Sequence, residues 1–283
     1  MLGLGASAVL AGCARRPAEG PRPARPGQAG QSTGAAARPA SASTPDARAV
    51  PITRRPHGWS DDKPVDWPGR RPDAYAVHGV DVARYQGTID WPAAARSGVS
   101  FAFVKATEGG DLADPMLDAN LRGARAAGVP VGAYHFYYFC TAPEVQARWF
   151  IANVARARID LPPVLDLEWN AHSPTCRLRP PGPEVRAAAA RFIALVSDHY
   201  RQRPIIYTTP DFWDDTDIRR LGGEFWLRSV ARHPAERYPG ARWTFWQYSG
   251  TGRVPGAGTR IDLNAFNGSP ADWQAWYARR RLV

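Results

Sequence analysis

At 283 residues the chain is long enough for one large domain or two small ones, and its hydrophobic (44%) and charged (22%) fractions are those of an ordinary globular protein. The formal charge of +10 invites a nucleic-acid reading, but residues 1–50 carry +4 of it, residues 51–74 carry +1, and the remaining +5 is dispersed through the body rather than striped along one face. That distribution is a poor footprint for DNA or RNA; it suits solubility or approach to an anionic polymer.

The first thirteen residues, MLGLGASAVLAGC, form a short apolar run ending in small residues, the pattern of an export signal. The run is too short to span a bilayer, which takes roughly 20 apolar residues. Leu10-Ala11-Gly12-Cys13 resembles a bacterial lipoprotein box, which makes Cys13 the expected lipidation site. The implied location is outside the cytoplasm, on a membrane-anchored lipoprotein facing the periplasm or cell exterior. Residues 14–56 are rich in Pro, Ala, Gly, Arg and Ser without apolar periodicity, and too little can be buried there to offset ordering entropy. We expect a disordered tether and lead-in over residues 14–74, with Trp59 and Trp67 wrapping onto the surface of a domain spanning 75–283.

From residue 76 the pattern becomes regular. Strand-like apolar runs fall at Val77–Val82, Phe101–Lys105, Val129–Phe136, Val164–Glu168, Ile205–Thr208, Phe225–Ser229, Thr244–Tyr248 and Ile261–Asn264. Helices are expected near 91–97, 115–127, 143–156 and 183–202, the last with Val185, Ala189, Phe192, Ile193 and Val196 at 3–4 spacing. Pro143 and Pro183 suit a first helical turn, and Gly128 suits a helix stop. Alternating β and α elements predict parallel strands in a single α/β, TIM-like barrel. Sparse helix in the last part predicts a barrel incomplete on one side. With Cys13 acylated, Cys140 and Cys176 remain as a pair, each just after a predicted strand on the same rim, in a compartment where disulfides persist. Neither sits in a metal-ligand spacing, and no cofactor motif is present.

In such barrels the chemistry lies at the carboxyl ends of the strands. Those ends read Asp81 on the first, Lys105 with Glu108 on the second, Tyr134-His135-Phe136 on the third and Asp166-Leu167-Glu168 on the fourth. Tyr207, Trp246-Gln247 and Asp262 follow on later strands. Residues two apart on a strand face the same way, so Asp166 and Glu168 should project together into the mouth. Like charges in a partly apolar pocket raise one another's pKa, and a protonated acid beside ionised neighbours is what glycosidic cleavage requires. Lys105 and Glu108 read as an ion pair at the rim, and His135 as an outward-facing structural residue. The eleven Trp offer flat faces either for sugar stacking or for filling a barrel core.

In their order, several motifs resemble glycoside hydrolase family 25, the Chalaropsis-type lysozymes. They are Gly79-Val80-Asp81, Phe103-Val104-Lys105-Ala106-Thr107-Glu108-Gly109, Gly132-Ala133-Tyr134-His135-Phe136, Leu165-Asp166-Leu167-Glu168, Pro204-Ile205-Ile206-Tyr207-Thr208, Phe245-Trp246-Gln247-Tyr248 and Ile261-Asp262. The resemblance runs from about His78 to Phe266. It implies a flattened barrel of five βα units followed by three strands with little helix. It also implies cleavage of the β-1,4 bond between N-acetylmuramic acid and N-acetylglucosamine, with retention. Carried over by motif, Glu168 is the general acid and Asp166 its partner, orienting the substrate's 2-acetamido group or attacking directly; Asp81 and Asp262 complete an acidic floor. Tyr134, Phe136, Tyr207 and Trp246 are the expected walls of a sugar groove, with Gln247 as a hydrogen-bonding group. Trp226-Leu227-Arg228 stands where Trp-Leu-Ala is frequent, so Arg228 is expected to alter the glycan subsites. Expected partners are peptidoglycan strands and, through the lipid only, a membrane; no nucleic acid and no second copy is called for. Two rival readings remain at this stage: a chitinase-like barrel glycosidase, and a peptidoglycan-binding lipoprotein without turnover.

Overall fold

The apolar runs become the staves of a closed ring in the computed structural model, which describes residues 55–282. Cys13 and the first part of the expected tether lie outside the described residues. In chain order the strands are β1 (Ser60–Asp61), β2 (His78–Val82), β3 (Val99–Glu108), β4 (Leu112–Ala113) and β5 (Val131–Phe136). They continue with β6 (Val164–Leu167), β7 (Ile205–Thr208), β8 (Phe225–Arg228), β9 (Trp243–Arg253) and β10 (Ile261–Phe266). The ring runs β2-β3-β5-β6-β7-β8-β9-β10 and back to β2. Every neighbouring pair from β2 to β9 is parallel, whereas β10 is antiparallel to both β9 and β2. The reversal follows from chain length: residues 254–260 are a turn, too short for the crossover that a parallel neighbour demands.

The predicted helices form as α1 (Trp91–Arg96), α2 (Leu117–Ala126), α3 (Pro143–Asn153) and α4 (Gly182–Tyr200). Asp90 caps α1 by accepting from the Ala93 N–H at 3.0 Å. The Gly128 stop after α2 takes φ +73°, a conformation a Cβ disfavours. Three helices were not legible as periodic patterns: α5 (Pro210–Thr216), the single turn α6 (Pro234–Arg237) and α7 (Pro270–Arg280). Helix α7 starts at a reciprocal cap, Ser269 with Asp272, and drives Trp273 and Trp276 against Phe101, Phe245 and Phe266. It closes the end of the barrel opposite the carboxyl ends of β2–β9. Among the described residues no helix is long and apolar enough to cross a membrane.

The ring itself is closed, contrary to the expectation of an incomplete barrel; what thins out is the outer helical layer over β9 and β10. Part of that face is covered by residues 55–75. There β1 pairs with β9, Trp59 donates to Ser97 Oγ at 3.0 Å, and Trp67 meets Trp246 edge-on at 5.1 Å. Gly79 lets β2 approach β3, since a Cβ there would come within 2.4 Å of the Phe101 carbonyl oxygen and 2.5 Å of its ring.

Candidate active site

Side chains on each stave alternate between the barrel interior and the helical layer. The interior of the lower barrel is filled by Phe101, Phe103, Val164, Ile205, Trp226, Phe245 and Phe266. Above this apolar floor the inward positions turn acidic. Asp81, Asp166, Glu168 and Asp262 line one cleft of about 750 Å³ at the carboxyl ends, together with Lys105, Tyr134, Phe136, Tyr207, Arg228 and Gln247.

Asp81 is held by a network. Its Oδ2 accepts from Asn264 Nδ2 at 2.7 Å and from Gln247 Nε2 at 3.0 Å. Tyr207 donates to Gln247 Oε1 at 2.9 Å, and the Trp226 indole donates to Asn264 Oδ1 at 2.7 Å. Both amides are thereby fixed with their N–H groups toward Asp81. Asp262 stands opposite Asp81 in the β10–β2 register and bonds to it. Burial raises the Asp81 pKa while the two amides oppose the rise; burial and the Asp81 charge drive Asp262 well above the carboxylate range. Two carboxyls this close and this buried resist ionising together.

Asp166 lies deeper than Glu168. It is 6% exposed, and its Oδ1 is buried with no partner among the described residues. Burial, then the Glu168 charge, drive its pKa well above the usual value, and Lys105 opposes them. Glu168, half-buried just beyond the end of β6, is raised to about 7 by burial, with Arg228 opposing. This pair therefore keeps a proton at neutral pH. Lys105 is ion-paired with Glu108 and lies 4.9 Å above the Phe136 ring, while Tyr138 OH donates to Glu108 at 3.3 Å. His135 faces outward: it takes Thr107 Oγ1 at 2.8 Å, meets Gln146 Oε1 at 3.0 Å and stacks on Phe192. Burial lowers its pKa to about 4 and keeps it neutral.

One expected groove residue is not in the cleft. Trp246 is 0% exposed, donates its indole N–H to the Ser229 carbonyl at 2.7 Å, and packs with Tyr75 and Trp67 on the outer face. Alternation explains the correction: Phe245 and Gln247 point inward, so Trp246 cannot. Of the eleven Trp, Trp226 and Trp169 line the cleft. Trp226 stacks on Phe103 at 4.7 Å and meets Tyr207 at 4.6 Å. Asn264 escaped sequence reading although it sits two residues after Asp262, on the same face.

One wall is the segment after β6, which brings Trp169, Asn170, His172, Ser173 and Pro174 to the cleft. Ser173 Oγ accepts from the Cys176 N–H at 2.9 Å, and Cys176 is joined to Cys140 by the expected disulfide, Cα atoms 5.8 Å apart. Closing this 36-residue separation restricts the unfolded chain by about 3–4 kcal/mol. We predict that reducing the bridge lowers Tm and raises KM by roughly 3- to 10-fold, since contacts of this cleft wall worth about 1 kcal/mol are loosened. The change in kcat should stay within about twofold, because Asp166 lies within β6 and Glu168 directly follows it, ahead of the bridged segment. Steady-state kinetics with and without reductant check this split.

The match to known proteins is consistent with this geometry. The sequence pattern of Glycosyl hydrolases family 25 matches residues 80–257. "Lysozyme M1" of Streptomyces globisporus is 36% identical over 211 residues, 70% of each chain. A family 25 glycosyl hydrolase structure from Bacillus anthracis superposes with TM-score 0.65 at 35% identity, covering 73% of this chain and 95% of that one. The bacterial lysozyme of Streptomyces coelicolor gives TM-score 0.62 at 34% identity, covering 72% and 97%. With its ring of strands, its acids at one mouth and this extent of likeness, the chain belongs to family 25 of the glycosyl hydrolases.

Proposed function

We propose that the protein is a lysozyme-type muramidase, hydrolysing the β-1,4 bond between N-acetylmuramic acid and N-acetylglucosamine in peptidoglycan with retention. The observation that carries this reading is the Asp166–Glu168 pair: one carboxyl at the mouth raised to about 7, the other deeper with an unpartnered oxygen.

Glu168 is the general acid. Asp166 accepts a hydrogen bond from the N–H of the substrate's 2-acetamido group. That bond stabilises ionised Asp166, and the Asp166 charge in turn holds the shared proton on Glu168. The acetamido carbonyl oxygen then attacks the anomeric carbon as the glycosidic bond breaks, and the leaving oxygen takes the Glu168 proton. Water, deprotonated by Glu168, opens the cyclic intermediate, so two inversions give net retention. Asp81, fixed by Gln247 and Asn264, places negative charge near the developing oxocarbenium, with Asp262 bonded beside it. Tyr134, Phe136, Tyr207 and Trp226 supply the apolar faces against which sugar rings pack.

The sign of the pH dependence follows. The general acid works only while protonated, so kcat/KM falls as pH rises through the Glu168 value of about 7. Activity should be about tenfold lower at pH 8 than at pH 6. Reducing-sugar release from purified peptidoglycan across that range tests both the activity and its alkaline limb. A flat profile to pH 9, or release of amino groups without reducing ends, would sink the assignment.

The working location proposed is outside the cytoplasm, with Cys13 as the lipidated residue and the Pro/Ala/Arg-rich segment after it as a tether. Such a chain would act as a monomer on wall within reach of its anchor. Metabolic labelling with a clickable fatty acid tests this: Cys13→Ser should remove the label, and retained label would contradict the lipoprotein reading.

A further inference from the structure

Two cations reach the cleft from the barrel strands, and they differ in one respect. Lys105 is taken up by its ion pair with Glu108. Arg228 lies two residues after Trp226 on β8, half-buried and lining the cleft, and among the described residues its guanidinium closes no ion pair. Its backbone carbonyl, not its side chain, receives the Tyr238 hydroxyl. Beside it β9 carries Gly250, where a Cβ would stand 3.2 Å from Asp262 Oδ1 and 3.9 Å from an Arg228 guanidinium nitrogen. The missing side chain leaves the edge of the guanidinium open to the cleft.

The acids nearby leave that edge unsatisfied. Glu168, Asp81 and Asp262 all feel the Arg228 charge, yet none pairs with it. Burial favours the neutral forms of Glu168 and Asp262, and Asp81 Oδ2 is occupied by Gln247 and Asn264. A guanidinium partly withdrawn from water, with donors in a planar fork and no carboxylate partner, matches a planar anion on the bound polymer.

We propose that Arg228 binds a carboxylate of the glycan, the free 3-O-lactyl group of a muramic acid residue whose peptide has been removed, and so directs the enzyme toward peptide-free strands. The proposal rests on the muramidase reading. In a peptide-bearing strand the lactyl carbonyl is an uncharged amide and cannot form the charge-assisted pair. A phosphate would need a second polymer in the cleft, whereas the lactyl carboxylate belongs to the sugar being cleaved.

The test uses peptide-free glycan strands and the same strands after their lactyl carboxyls have been coupled to methylamine. For the wild type, kcat/KM should be about 10- to 100-fold higher on the carboxylate strand than on the amide strand. For Arg228→Ala that ratio should fall close to one, and for Arg228→Lys it should be intermediate. The ratio is the readout because removing the charge also changes the proton affinity of Glu168, which acts on both strands alike. An equal ratio in wild type and Arg228→Ala overturns the proposal and leaves Arg228 an electrostatic neighbour of Glu168. Cleavage of intact peptidoglycan but of neither strand also overturns the proposal; if the wild type cleaves none of the three, the muramidase reading itself fails, and this proposal with it.

Discussion

Glu168→Gln is expected to lower kcat on purified peptidoglycan by about 10²- to 10⁴-fold, the range that positioned proton transfer contributes, with KM changed little. The same substitution should make the protein more stable at alkaline pH. Burial raises the folded-state pKa of Glu168 from 4.5 to about 7. A group raised in this way contributes stability below its unfolded value and loses it as pH rises through the folded value. Above pH 7 the wild type therefore holds an ionised carboxylate in a site that disfavours it, at a cost of about 1–3 kcal/mol. Gln is neutral at every pH and escapes that cost. Melting curves at pH 8 should place the inactive variant above the wild type, and the difference should shrink at pH 5. An active variant would remove Glu168 from the chemistry; an inactive variant that melts lower at pH 8 would make its loss structural.

Asp166→Asn carries the second large effect. An amide in place of the carboxylate no longer stabilises the positive charge that develops on the acetamido nitrogen, and kcat should fall by about 10²- to 10³-fold. The loss should not add to the loss caused by removing the acetyl group from the substrate. Wild type on de-N-acetylated glycan, and Asp166→Asn on either glycan, should all be slow to a similar degree. Rapid cleavage of de-N-acetylated glycan by the wild type would instead make Asp166 the direct nucleophile. The Asp166 oxygen without a partner is the physical reason to expect the first outcome.

Much of this site is legible in the sequence because strand geometry does the sorting. Period-two alternation puts Asp166 and Glu168 on one face, and a strand–helix rhythm puts that face at a barrel mouth. The same rule, applied consistently, would have separated Trp246 from Gln247, since adjacent residues on β9 cannot both face the cleft. It would also have found Asn264, which shares a face with Asp262 and donates to Asp81 at 2.7 Å. Other features were not readable at all. Helix α7 contributes Trp273 to the barrel floor, but which end of a ring a C-terminal helix closes is a matter of tertiary packing, not of local pattern. The cover supplied by Trp59 and Trp67 was foreseen, but not the strand beside them: β1 is two residues long, and a strand that short leaves no periodic trace. Arg228 was visible as a departure from a motif, but its lack of an ion pair needed coordinates.

Mass analysis of the fragments released from purified peptidoglycan tests the central claim most directly, because bond, substrate and chemistry are read together. Glu168 acting as an acid on the muramyl linkage yields disaccharide fragments with N-acetylmuramic acid at the reducing end, and Glu168→Gln yields none. Fragments ending in reducing N-acetylglucosamine, or peptides freed from intact glycan, would contradict it.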